Sequence, residues 1–246
     1  EVRKAVRTLL AMGVDVIKLM TSGRTFKKSS SPDSYALTLE EARVAVDEAH
    51  NQNVKVSAHA HGSKGVKIAL KAGCDTLEHG TMLDDDDVEF MAKNNVYLIP
   101  TFSYGKHVES LGDKSGLPPY SIEKGIRSRR NRLKSFSKAL KAGVPIAMGS
   151  DAGMPYAYHG NNAFEIEQLV AAGMSPKQAL VASTSGAADA LGLADSLGSV
   201  EKDKLADILV LDKNPLEDIR VLQDKAAILA VIKDGDIAID RGLTGE

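Results

Sequence analysis

The chain has 246 residues, enough for one large domain, or one domain with an appendage, around a sizeable core. Lys and Arg total 31 against 33 Asp and Glu, a formal charge of −2, which argues against nucleic acid as the main partner. No apolar run reaches bilayer length, and the single cysteine, Cys74, excludes an intrachain disulfide framework and a cysteine metal cluster. Any metal must therefore rest on histidine, carboxylate or modified lysine.

The opening EVRKAVRTLLAMG reads as an amphipathic helix already under way, which predicts a segment before it. GVDVIKLMTSG then reads as a buried parallel strand over residues 14–20. Lys18 lies inside it, where lysine is costly unless paired or neutralised. Three readings stay open: a stem buried under an ammonium that reaches a carboxylate, a Schiff-base amine, or a carbamylated lysine bridging metals. Residues 21–37 form a polar loop long enough for a flap, with Arg24 and Tyr35 in it. Thr38 and Glu41 spell a capping box for a helix reaching about His50, which suits the dipole at that end.

The stretch VKVSAHAHGSKGVKIALKAGCDTLEHGT, residues 54–81, organises the rest. Alternation at Val54, Val56 and Ala58 marks a strand that delivers His59 and His61 on one face. A helix over residues 63–72 stops at Gly73, and a second strand over residues 74–78 delivers His79. Imidazoles thus arrive at the carboxyl ends of successive strands, the rim that carries chemistry in (β/α) barrels. Asp84–Asp87 read as an acid-led helix start rather than a cation site. VYLIP, residues 96–100, is a further strand, and residues 101–120, with Tyr104 and His107, read as irregular. A long basic helix is predicted over residues 121–142, its Arg129–Arg130 pair facing solvent. A strand over residues 144–149 ends in Ser150-Asp151, where a turn aspartate and a ligand carboxylate remain equal alternatives. A loop carrying His159 leads to helices over 163–172 and 175–191, the second capped by Ser175 with Pro176 at its first position. Strands over 205–211, 228–233 and 236–239, the last two joined by an Asp234-Gly235 turn, form a small β appendage from residue 198.

Lys18, His59, His79 and Asp151, in that order on four strand ends, resemble the amidohydrolase superfamily of metal-dependent hydrolases, most closely its imidazolonepropionase-like group with Xaa-Pro dipeptidases and carboxypeptidases. The likeness rests on VIKLMTSG, SAHAHG, AGCDTLEHGT, GVPIAMGSDAG, HGNNAFEIEQLVAAGMSPKQAL, TSGAADALGL and KLADILVLDKNPL, and covers nearly the whole chain. It implies an α/β fold, a (β/α)8 TIM-type barrel whose first strands are missing here, over residues 1–197, with residues 198–246 as the C-terminal part of the β appendage. It implies two divalent ions, zinc by ligand type, bound by carbamylated Lys18, His59, His79 and Asp151. Asp151 would also shuttle the proton of the attacking water. His61 and His159 are expected at the substrate, and Arg24, Tyr35 and Tyr104 are candidates for a substrate carboxylate.

The family's first strand carries a His-x-His pair absent from that position here, since His59-Ala60-His61 falls on the fifth. About five of eight barrel strands are present, so another segment is expected to supply the pair and cover an exposed parallel edge. Asp203 stands before Lys204 where relatives usually place glycine. The expected partners are a small-molecule or dipeptide substrate, first of all one ending in proline or a basic residue, that missing segment, and further copies in a homo-oligomer, with neither nucleic acid nor membrane. The competing readings are a mononuclear amidohydrolase, such as an imidazolonepropionase or deaminase, and a non-catalytic fragment with an incomplete metal site.

Overall fold

The computed structural model describes residues 1–23 and 31–242, which pack as two units, Glu1–Ile146 and Ala147–Glu246. In the first unit four parallel strands stand in sequence order: β1 (Val16–Met20), β2 (Lys55–Ala60), β3 (Thr76–His79) and β4 (Tyr97–Ile99). Three helices connect them, α2 (Leu39–His50), α3 (Ser63–Ala72) and α4 (Asp85–Lys93), and α1 (Val2–Ala11) precedes β1. Strand alternation sends Ile17, Leu19, Val56, Ala58 and Leu77 into the core beneath these helices. The opposite face carries Lys18, Ser57, His59, Thr76 and Glu78, with His59 in register with Glu78. This is the expected α/β class with a parallel sheet, and the described strands do not close on themselves.

Local signals in the sequence hold the connectors. Thr38 and Glu41 exchange both bonds of a capping box on α2, and Asp84 and Asp87 do the same on α4, so the aspartate run is a helix start. Asp84 and Asp87 also receive Lys67 Nζ at 2.6 and 3.1 Å. Gly73 ends α3 at φ +93, a left-handed conformation that suits glycine. Arg3 and Arg7 of α1 both bind Glu48 of α2, Arg7 Nε at 2.6 Å. Cys74 is buried, and desolvation with the Asp75 and Glu78 carboxylates nearby pushes its thiol up to about 12.

Asp75 ties the end of α2 to β2. Its carboxylate accepts from Val56 N and meets His50 Nε2, both at 2.8 Å, and accepts from Lys55 Nζ at 3.0 Å. Burial works to raise its pKa from the ordinary 3.8, but these three bonds outweigh it and hold the group lower. Because the folded carboxyl titrates below the unfolded one, its contribution is complete above about pH 4 and is lost as pH falls through the lowered folded value. Asp75→Asn is therefore expected to cost about 1–3 kcal/mol at pH 6 and to flatten the fall in melting temperature between about pH 5 and pH 2. A variant that melts in parallel with the wild type across that range would refute the assignment.

Beyond β4 the structure departs from the sequence expectations. Residues 101–120 are not irregular: α5 (Ser103–Leu111) and a 3-10 turn (Gly112–Ser115) occupy most of them. Ser, Tyr, Gly and His mask this helix by propensity, while buried Tyr104 and Val108, four residues apart, form its inner face. That face lies on α6 (Pro119–Lys141), where Gly125 brings the helix against Val108. The Arg129–Arg130 pair divides, Arg130 being exposed and Arg129 held at 3.1 Å by Glu109. The strand expected over residues 144–149 shrinks to a bridge from Ile146 to Leu98. Pro145 has no N–H to give, and Met148 donates instead to Ala182.

In the second unit the expected 175–191 helix breaks into α8 (Pro176–Ser183) and α9 (Ser185–Ala190), after α7 (Ala163–Ala171). Ser183 and Thr184 bond back to the carbonyls of Ala179 and Leu180, an alternative to continuing the helix. The strands β5 (Ile208–Leu211), β6 (Ile228–Lys233) and β7 (Asp236–Asp240) make an antiparallel sheet. Asp234 at φ +54 and Gly235 at φ +90 make the tight turn between the last two. Within the second unit, Gln223 Nε2 donates to Glu167 at 2.7 Å and so joins the tail to α7. Asp203 takes φ +69, a left-handed conformation that glycine adopts most readily. No helix among the described residues is long and apolar enough to cross a membrane.

Candidate metal centre

Three imidazoles meet at the carboxyl ends of β2 and β3. One ring nitrogen from each of His59, His61 and His79 lies within 4.8 Å of the others, and all three residues are buried. His61 and His79 stack at 4.5 Å and 15°, and His59 stands edge-on to both at 4.6 Å. His79 Nε2 and His59 Nδ1 share a hydrogen bond of 2.9 Å.

His79 reaches the cluster against strand alternation, which would place it on the opposite face from Glu78. It adopts φ +69, turning its ring back to the face that carries His59. For a residue with a β-carbon this conformation costs about 1–2 kcal/mol, and such strain persists where surrounding structure over-determines it. Thr101, just past β4, does the same at φ +54.

Two of the rings are braced by neighbouring loops. His61 Nδ1 meets Thr81 Oγ1 at 2.8 Å, and His79 Nδ1 meets Thr101 Oγ1 at 2.6 Å. Beyond β1, Thr21 donates backbone N–H and hydroxyl to the His59 carbonyl, and Ser22 Oγ accepts from His61 N at 2.8 Å. Ser22 fits because Gly65 on α3 has no β-carbon, which would stand 2.5 Å from its Cβ. Burial lowers the His61 and His79 pKa values well below the ordinary 6.5, with the Arg132 charge adding to both. Both rings are therefore neutral, the form that binds metal.

The sequence candidates fall as follows. His59 and His79 come together, and His61, expected at substrate, lies in the same cluster. Lys18 projects from the same face of the sheet, its Nζ on Glu78 Oε2 at 2.5 Å, with Thr76 Oγ1 on the other carboxylate oxygen at 2.8 Å. This is the ammonium-on-carboxylate reading, with Glu78 as the partner the sequence left unnamed. Tyr104 is buried on α5, Tyr35 is exposed and bridged to Ser22, and Arg24 lies outside the described residues. In the second unit Asp151 is exposed at φ +52. The exposed His159 stands beside Gly153, its Nε2 3.8 Å from where a β-carbon there would lie.

Glu78, Thr81, Thr101 and Arg132 escaped the sequence reading. Glu78 was detectable from the alternation Thr76–Glu78, and Arg132 from its place in the inward i, i+3, i+4 row of α6 with Ser128, Ser135 and Phe136.

The donors fit a divalent metal: three clustered imidazoles, two of them neutral with Nδ1 hydrogen-bonded to a neighbouring hydroxyl, as metal-binding histidines commonly are. Comparison with known proteins agrees in family. Ochratoxinase of Aspergillus niger is 36% identical over 239 residues, covering 96% of this chain and 49% of that protein. Its crystal structure superposes with a TM-score of 0.88 over 98% of this chain and 55% of that one. A Xaa-Pro dipeptidase crystallised with methionine in its active site is also 36% identical, with a TM-score of 0.86 over 96% of this chain and 57% of that one. The chain thus spans about half the length of the relatives it matches. With the sequence pattern of that family matched over residues 1–238, the chain belongs to the amidohydrolase family.

Proposed function

We propose that the protein is a metal-dependent hydrolase of amide bonds. The observation that carries this reading is the buried, braced cluster of His59, His61 and His79 at the strand ends of an amidohydrolase chain. Held there, a divalent ion, zinc by ligand type, would lower the pKa of a bound water and polarise a substrate carbonyl. His61 and His79 present neutral nitrogens, and the buried setting of the cluster limits competing water. Asp151 is the carboxylate we assign to the water's proton, on its sequence correspondence. The substrate class is dipeptides or N-acyl amino acids, first those ending in proline or a basic residue. Ochratoxinase and Xaa-Pro dipeptidase among the similar proteins support hydrolysis of a C–N bond. We assign residues 1–197 to the barrel and 198–246 to the appendage, with a His-x-His pair supplied by a further segment and assembly as a homo-oligomer.

Two ions bridged by carbamylated Lys18 are one form of this centre. A single ion is the other, favoured by the Lys18–Glu78 pair and by a third histidine in the cluster. Metal content and dipeptide hydrolysis of the full-length protein, wild type and Lys18→Ala, test both. Two ions falling to one or none, with activity down about a hundredfold or more, would support the bridged form. One ion in each, with activity retained, would establish the single-ion form. Metal-free wild type that hydrolyses no amide would refute the proposal.

A further inference from the structure

Arg132 is buried in α6, yet its donors reach two separate strand-end loops. Nη1 donates to the Thr101 carbonyl and, at 3.1 Å, to Thr101 Oγ1, while Nε lies 3.5 Å from Thr81 Oγ1. Those two hydroxyls are the ones on Nδ1 of His79 and His61. One turn along the same face, Ser135 Oγ donates to the Thr81 carbonyl at 2.9 Å and accepts from Leu83 N at 3.0 Å. Phe136, next on that face, packs on Phe102, the residue after Thr101. So a single helical face holds both loops that orient the rings.

An apolar side chain would fill the volume of Arg132 without the cost of desolvating a charge. The guanidinium adds a rigid fork of donors that can engage both loops at once. It also ties down the carbonyl of Thr101, whose φ of +54 needs outside support, as does the φ of +69 at His79.

We propose that Arg132 is a positioning residue that fixes the His61 and His79 rings through the hydroxyls of Thr81 and Thr101. Its use at a metal rests on the function proposed above, whereas ring positioning can be read without metal. The test is long-range nitrogen–proton NMR of the imidazoles in metal-free, full-length protein, with zinc affinity measured in parallel by chelator competition. In wild type, His61 and His79 should each show one tautomer. Arg132→Met should show mixed tautomers at both rings and bind zinc about 10–100-fold more weakly. Arg132→Lys, lacking the fork, should recover only part of either. Folded Arg132→Met with wild-type ring spectra and zinc affinity would overturn the proposal. If Arg132→Met does not fold, Thr101→Ala removes only the His79 arm, so its spectrum should change at His79 and not at His61. An unchanged His79 would then overturn the proposal. Wild type that takes up no zinc would refute the metal reading, while the ring spectra still decide the role of Arg132.

Discussion

His79→Ala is expected to strip metal from the centre and reduce amide hydrolysis by about a thousandfold or more. The side chain stacks on His61, bonds His59 at 2.9 Å and is braced by Thr101 at 2.6 Å, so its removal takes a supporting contact from each of the other two rings as well as deleting a donor. A stability measurement separates these roles. Alanine keeps the cost of φ +69, whereas glycine adopts that conformation freely. His79→Gly should thus be more stable than His79→Ala by about 1 kcal/mol in metal-free protein, while both lose metal and activity equally. Metal bound at full stoichiometry with hydrolysis within about tenfold of wild type would remove His79 from the centre.

Phe136→Ala should give the largest loss of stability, about 3–5 kcal/mol. Phe136 is fully buried on α6 and meets Phe102 edge to face, centroids 5.1 Å apart at 86°. The cavity would open between α6 and the loop bearing Thr101, a place with little freedom to collapse because Arg132 ties that loop to α6 and Ser135 ties the Thr81 loop beside it. Denaturant unfolding of wild type, both single variants and the Phe102→Ala, Phe136→Ala double variant would give the pair's coupling, expected near 0.5–1.5 kcal/mol. A single-variant loss below about 1 kcal/mol would show that the helix relaxes into the space.

Much of the scaffold was legible because it is local. The capping box at Thr38–Glu41, the left-handed stop at Gly73 and the turn at Asp234-Gly235 each need only a few neighbouring residues to declare themselves. The family resemblance likewise came from residues in line along the chain, and the match over residues 1–238 bears it out. The helix over Ser103–Leu111 was hidden because its weak helix formers are held by packing on α6 rather than by propensity. The strand expected over residues 144–149 failed because Met148 found Ala182, a partner more than thirty residues away.

By itself the sequence determined that histidines arrive at the ends of two successive strands joined by a helix, since period and caps are properties of a few adjacent residues. Only the tertiary structure decided that the ring of His79 meets those of His59 and His61, because the backbone at His79 reverses the side that alternation would assign. The partners of Lys18, His61 and His79 were likewise decided in three dimensions. Glu78, Thr81, Thr101 and Arg132 come from different elements, and hydrogen bonds between them depend on ångström-scale placement that no spacing along the chain encodes.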